Sequence, residues 1–170
     1  MKTDTPATKT EAVQASGQFS TFFVADLFFG VDVLNVQEVL RFQQMTPVPQ
    51  APGVIEGLIN LCGQIVTAID MRGRLGLPPR AGDKSPMNIV VRTTGGAVSL
   101  LVDEIGDVLD LDPATYERPP ENLAPAAREL IRGVYKLNGR LLLVLDAERT
   151  AEITVAGNSN GAAHSLPTEK

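Results

Sequence analysis

From Phe19 to Ile153 the chain is a succession of short apolar runs separated by turn residues. FSTFFVA from Phe19 and LFFGVDV from Leu27 flank Asp26, which predicts a hairpin with a tight turn. The period then changes. Val33, Val36, Val39 and Leu40 fall at helical spacing behind Asp32, a residue suited to capping, so a short helix is expected there. Three prolines between Thr46 and Pro52 force the chain out extended. VIEGLINLCGQIVTAIDM holds two more strands, with Gly63 and Gln64 as the turn between them. Asp70 ends the second strand and can cap a helical turn over Arg72–Leu75, which Pro78 and Pro79 stop. MNIVVR and AVSLLVDEI flank Thr94-Gly95-Gly96 as a hairpin, and DVLDLDP continues as a strand to Pro113. AARELIRG reads equally as helix or strand. RGVYKL and RLLLVLDAE flank Asn138-Gly139, whose residues tolerate the two positive φ values of a type I′ turn. A last short helix is expected from about Asp146.

Roughly ten strands with turn signals every ~8–12 residues point to a barrel or a sandwich. With so few helices between them, a parallel sheet built from βαβ units is not expected. A two-part division is visible, with strand pairs before Pro78 and strand pairs after Met87. Residues 1–17 and 154–170 lack periodicity and read as flexible tails around one folded region, 18–153.

Composition narrows the function classes. Aromatics are 5% of the 170 residues and Trp is absent, so the core must rest on Val, Leu and Ile. Fifteen basic residues face twenty acidic ones, a net charge of −5, and no basic run occurs. Nucleic acids and anionic membrane surfaces need clustered cations, so neither is expected as a partner. Cys62 is the single cysteine, which excludes an intrachain disulfide and fits a reducing compartment. The N-terminus lacks a signal-peptide apolar stretch, and no run approaches the ~18 residues of a membrane span, so the chain reads as cytoplasmic.

A search for chemistry returns little. The single histidine, His164, falls in the C-terminal tail, where no imidazole is positioned for a nucleophile pair or a metal. Phosphate-binding glycine loops are absent. Asp70 ends an apolar strand as a phospho-acceptor would. The acidic pair, late lysine and alternating helices of a receiver domain are missing, so it reads as a cap. Asp103, Glu104, Asp107, Asp110 and Asp112 interleave with apolar residues as a half-exposed strand does, and read as a solvated edge. No catalytic residue, metal or cofactor is expected, and the chain does not read as an enzyme.

GVDVLNVQEVL at 30–40, PGVIEGLINLCGQIVTAIDMRGRLG at 52–76, VDEIGDVLDLDP at 102–113 and LLLVLDAER at 141–149 together resemble the CheW family of chemotaxis coupling proteins. The resemblance spans the whole folded region and is specific as an ordered set. It implies a mainly β fold of two small five-stranded SH3-like β-barrel subdomains with a few short helices. It also implies a non-catalytic adaptor that couples methyl-accepting chemoreceptors to a CheA-type histidine kinase in signalling arrays, with self-association in rings possible. The alternative output is a twitching-motility or non-motility pathway. By the same resemblance Glu38 and Cys62 match kinase-binding positions, while Val36, Gly57, Val108 and Gly133 match the receptor groove. Val36 and Val108 read equally well as core, Gly57 and Gly133 as backbone constraints, and Glu38 as an exposed group on the polar side of the short helix. One departure stands out: the family's N-L-x-G motif usually carries Arg where this chain has Cys62. Cys makes no ion pair, so a divergent, compensating kinase is expected.

Overall fold

The computed structural model describes residues 17–152. The tails, His164 included, therefore lie outside the described residues, apart from Gly17. Eleven strands occur among those residues: β1 (Gln18–Val24), β2 (Leu27–Asp32), β3 (Val36–Leu40), β4 (Ile55–Leu61), β5 (Gln64–Asp70), β6 (Met87–Thr93), β7 (Gly96–Val102), β8 (Glu104–Asp110), β9 (Tyr116–Glu117), β10 (Ile131–Leu137) and β11 (Arg140–Leu145). Short helices α1 (Met71–Arg74) and α2 (Pro125–Arg128) interrupt them, and residues 147–152 form a third, α3. The fold is mainly β and made of two sheets, as expected.

The sheets do not follow the division at Pro78–Met87. One has the order β8-β1-β2-β11-β10-β9, the other β3-β6-β7-β5-β4. The N-terminal hairpin thus joins the C-terminal strands, and everything from β3 to β7 forms the second sheet. The cause is the parallel pairing of β2 with β11, in which Leu143 faces Phe29. Local turn signals carry no information about such a contact. The chain crosses between sheets twice, at residues 33–35 and at Asp103.

Both sheets curl. A flat six-stranded sheet would hold its edges ~24 Å apart, yet β8 and β9 are joined by five residues, 111–115, with a reach of at most ~21 Å. In the other sheet the segment leaving edge strand β3 returns to the opposite edge, where Thr46 exchanges both backbone hydrogen bonds with Leu58 of β4 (2.8 and 2.9 Å).

Curling gives each sheet two buried faces, and this explains runs such as LLLVL. On β11, Leu143 and Leu145 enter the main core shared by both sheets, while Leu142 and Val144 join Phe19 and Tyr135 in a second cluster. On β7, Leu100 and Val102 enter the shared core, and Leu101 meets Ile59 and Ala68 in a third. Alternate residues serve opposite faces, so continuous apolarity replaces alternation.

Two local expectations need correction. The helix predicted over 33–40 is a single 3-10 turn, Val33–Asn35, followed by strand β3. Asp32 does cap it, accepting a hydrogen bond from Leu34 N–H at 2.9 Å. After one turn, pairing with β6 (Val36 opposite Val91, Val39 opposite Ile89) overrides the helical spacing. The β4–β5 turn lies one residue earlier than expected, at Cys62 (φ 51) and Gly63 (φ 90), both in the left-handed region of a type I′ hairpin. Asn60 Oδ1 accepts from Gly63 N–H at 2.9 Å and fixes it. The cap on α1 is as expected, with Asp70 Oδ1 accepting from Arg72 N–H at 3.3 Å.

Candidate docking surfaces

The residues singled out from the sequence occupy three places. Glu38 and Cys62 lie at the rim of the five-stranded sheet. Glu38 is exposed on β3, not on a helix, and Cys62 is exposed at the tip of the β4–β5 hairpin. Their neighbours connect: Gln37 donates from Nε2 to Gln64 Oε1 at 3.1 Å, which ties edge strand β3 to that hairpin beside its turn. Exposed Ile65 sits beside the same contact and Val39 follows Glu38, so apolar surface accompanies the polar pair.

Val36 lies at the seam where the two sheets meet, whereas Gly133 belongs to β10 of the six-stranded sheet. Val36 is half-buried and packs on the shared core. Its predecessor Asn35 and Gly133's predecessor Arg132 both line a cavity of about 310 Å³. A Cβ on Gly133 would meet the Tyr116 ring and approach the Glu117 carbonyl oxygen at 2.6 Å, so β9 can lie over β10 because residue 133 has no side chain. The other two stand apart. Val108 is 58% exposed on edge strand β8, so its side chain is surface rather than core. Gly57 is buried on β4, where a Cβ would come within 2.7 Å of the Thr46 carbonyl oxygen. The chain's own 45–46 segment makes that close approach.

Sequence reasoning missed the ties that hold the seam. Asp103 was read as part of a solvated acidic edge. It instead accepts hydrogen bonds from Arg72 (Nη2, 2.7 Å; Nε, 3.0 Å), from Arg80 (Nε, 2.9 Å) and from Ala25 N–H (2.7 Å). It thereby joins the β1–β2 turn of one sheet to α1 of the other. Burial pushes its carboxyl up, but the Arg72 guanidinium, the Ala25 amide and Arg80 outweigh burial and hold it at about 2. Asp112 is exposed as expected and also caps a 3-10 turn, accepting from Ala114 N–H at 3.0 Å. Glu104, Asp107 and Asp110 are exposed as expected. On the cavity side, Glu148 of α3 accepts from Thr94 N–H (2.9 Å) and Thr94 Oγ1 (3.0 Å), clasping the β6–β7 turn. The signal for these ties is sequence-distant pairing, which one sequence does not carry.

A family model described as "CheW-like domain" matches residues 18–154. The chain belongs to the CheW family. The CheW-like domain accounts for all eleven strands, and its match runs slightly past the last described residue. Among curated relatives, the chemotaxis protein CheW of Klebsiella aerogenes is 31% identical over 132 residues, covering 78% of this chain and 80% of that protein. Protein FrzA of Myxococcus xanthus is 31% identical over 127 residues, covering 72% and 76%. Among solved structures, the scaffolding protein TtCheW of Thermoanaerobacter tengcongensis superposes with a TM-score of 0.73 at 28% identity, covering 80% of this chain and 92% of that one. The CheW-like fold is a scaffold architecture in chemotaxis signalling, and the chain shares its two-sheet plan. No helix among the described residues is long and apolar enough to cross a membrane.

Proposed function

We propose that the protein is a non-catalytic adaptor that holds a CheA-type histidine kinase and methyl-accepting chemoreceptors in one cytoplasmic signalling assembly. The observation that carries this reading is the separation of two surfaces on one CheW-like domain. The rim with Glu38 and Cys62 belongs to the five-stranded sheet, and Val36 packs on the core shared by the two sheets, at the seam where they meet. A protein that joins two partners needs two such faces and no reacting group. In this reading the kinase docks at the rim and the receptor hairpin lies in the seam, where apolar anchors and a polar edge set register. Gly57 and Val108 are assigned to the receptor side as supporting positions.

The test separates the faces. Charge reversal at Glu38 should weaken kinase binding and leave receptor binding unchanged, whereas a bulky substitution at Val36 should do the reverse. Loss of both contacts from either substitution in a folded protein would sink the two-surface reading. Cys62→Arg restores the family's usual charge at the hairpin tip. If the cognate kinase compensates for cysteine, that variant should bind it less well than the wild type, and unchanged affinity would remove the basis for a divergent kinase. A second reading of the output, a twitching-motility or non-motility chemosensory pathway, stands beside it, since one 31%-identical relative carries the name FrzA rather than CheW.

A further inference from the structure

The chain is acidic as a whole, with a net charge of −5, yet one part of its surface has the opposite sign. A groove of about 610 Å³ lies between residue 119, α2, the start of β10 and α3. Its lining holds none of the residues assigned above to either partner. Arg128, Arg132 and Arg149 line it against a single carboxylate, Glu129. Pro119, Pro125 and Ile131 supply its apolar part.

The guanidinium groups are only partly matched from within. Arg128 is exposed, and no carboxylate among the described residues lies within ion-pair distance of it. Arg132 and Arg149 share one, Asp146. Its Oδ2 lies 3.6 Å from Arg132 Nε and 3.9 Å from Arg149 Nε, and its Oδ1 accepts from the Arg149 N–H at 3.1 Å. One carboxylate between two cations leaves a positive excess. Glu148, next to Arg149 along the chain, is taken up by Thr94 instead. A fourth arginine adds to the charge. Arg74 Nη2 donates to the Arg149 carbonyl oxygen at 3.4 Å, and Arg74 faces Glu129 and Glu152. Four cations thus stand against Glu129, Asp146 and Glu152. Arg149 Nη1 also donates to the Glu129 carbonyl oxygen at 3.5 Å, so α3 is tied to the end of α2 and the groove is held in shape.

We infer that this groove binds a short acidic peptide segment of a protein partner, a third docking surface that does not depend on which partner takes the rim or the seam. Carboxylates match the planar fork of a guanidinium. Arg128 has no internal acceptor to give up, so it is the first anchor. An apolar side chain of the segment rests on the prolines and Ile131. The overall charge limits the occupant. A nucleic acid carries its charge far beyond the groove and meets a chain of net charge −5, whereas a short acidic segment meets only the local excess.

The test uses the full chain and two acetylated, amidated pentapeptides, one with four glutamates around a central leucine and one with glutamines in their place. The glutamate peptide should shift the amide resonances of Arg128, Ile131, Arg132 and Arg149, and the glutamine peptide should not. Arg128→Gln, at an exposed position, should weaken that binding about fivefold, the upper range for an exposed charge pair. Lys84→Gln removes the same charge from a residue outside the groove and should leave binding unchanged. Absence of shifts at these residues, equal shifts with glutamine, or equal weakening by Lys84→Gln overturns the proposal. Vesicles of phosphatidylglycerol that shift these amides when the glutamate peptide does not would also overturn it, and would assign the groove to a membrane surface.

Discussion

Asp103 shows how far one residue's role can lie from its local sequence. Its acidic neighbours suggest a solvated edge, but its partners are Ala25, Arg72 and Arg80, distant along the chain and brought together only by the fold. Replacing it with Ala removes the carboxylate that two guanidinium groups share, leaving Arg72 the Pro78 carbonyl and Arg80 the more distant Asp70. The expected cost is about 2 kcal/mol, below the ~3–5 for a fully buried pair because the carboxylate keeps some contact with water. Urea unfolding checks this. The pH dependence has a defined sign. A carboxyl held at about 2 when folded, against an ordinary 3.8, stabilises the fold fully above pH 4 and loses that contribution as pH falls towards 2. Asp103→Asn should therefore show a shallower decline of stability across that window than the wild type. Gly57 is the opposite kind of residue, legible as a constraint but not as to its cause. Gly57→Ala drives a Cβ against the Thr46 carbonyl and should cost about 1–3 kcal/mol, read as a shift in unfolding midpoint. Asp70, by contrast, was readable as a cap because its partner lies two residues away.

At the scale of elements, hairpins were legible, and the edge strands β3 and β9 were not. Thr94-Gly95-Gly96 and Asn138-Gly139 announce their turns through residues that accept positive φ, and β6–β7 and β10–β11 form there. The β4–β5 turn was misplaced by one residue because it puts Cys62, an uncommon choice, at φ 51. Cysteine carries a Cβ penalty in that region that asparagine largely escapes. Cys62→Asn should raise stability by about 0.5 kcal/mol, measured by chemical denaturation, and it separates the turn's strain from any role of the thiol. Strand β3 failed for another reason. Four apolar residues at helical spacing outweighed its Val-rich composition, yet the edge of β6 needed a partner, and sheet pairing decided the outcome.

At the scale of the molecule, the class of fold and the family were legible, while the interleaving of the two sheets was not. Pairing of β2 with β11, more than a hundred residues apart, is what makes the N-terminal hairpin part of the C-terminal sheet. The same interleaving creates the seam. The chain crosses it twice, and Asp103 and Glu148 tie it. This arrangement gives one small protein a rim and a seam that different partners can occupy together. The most direct test of that claim is sedimentation of the purified chain with a receptor hairpin fragment and the kinase's docking domain, singly and combined. Simultaneous occupancy predicts a ternary complex whose formation neither partner inhibits; competition of the two partners for one surface, or binding of neither, would contradict it.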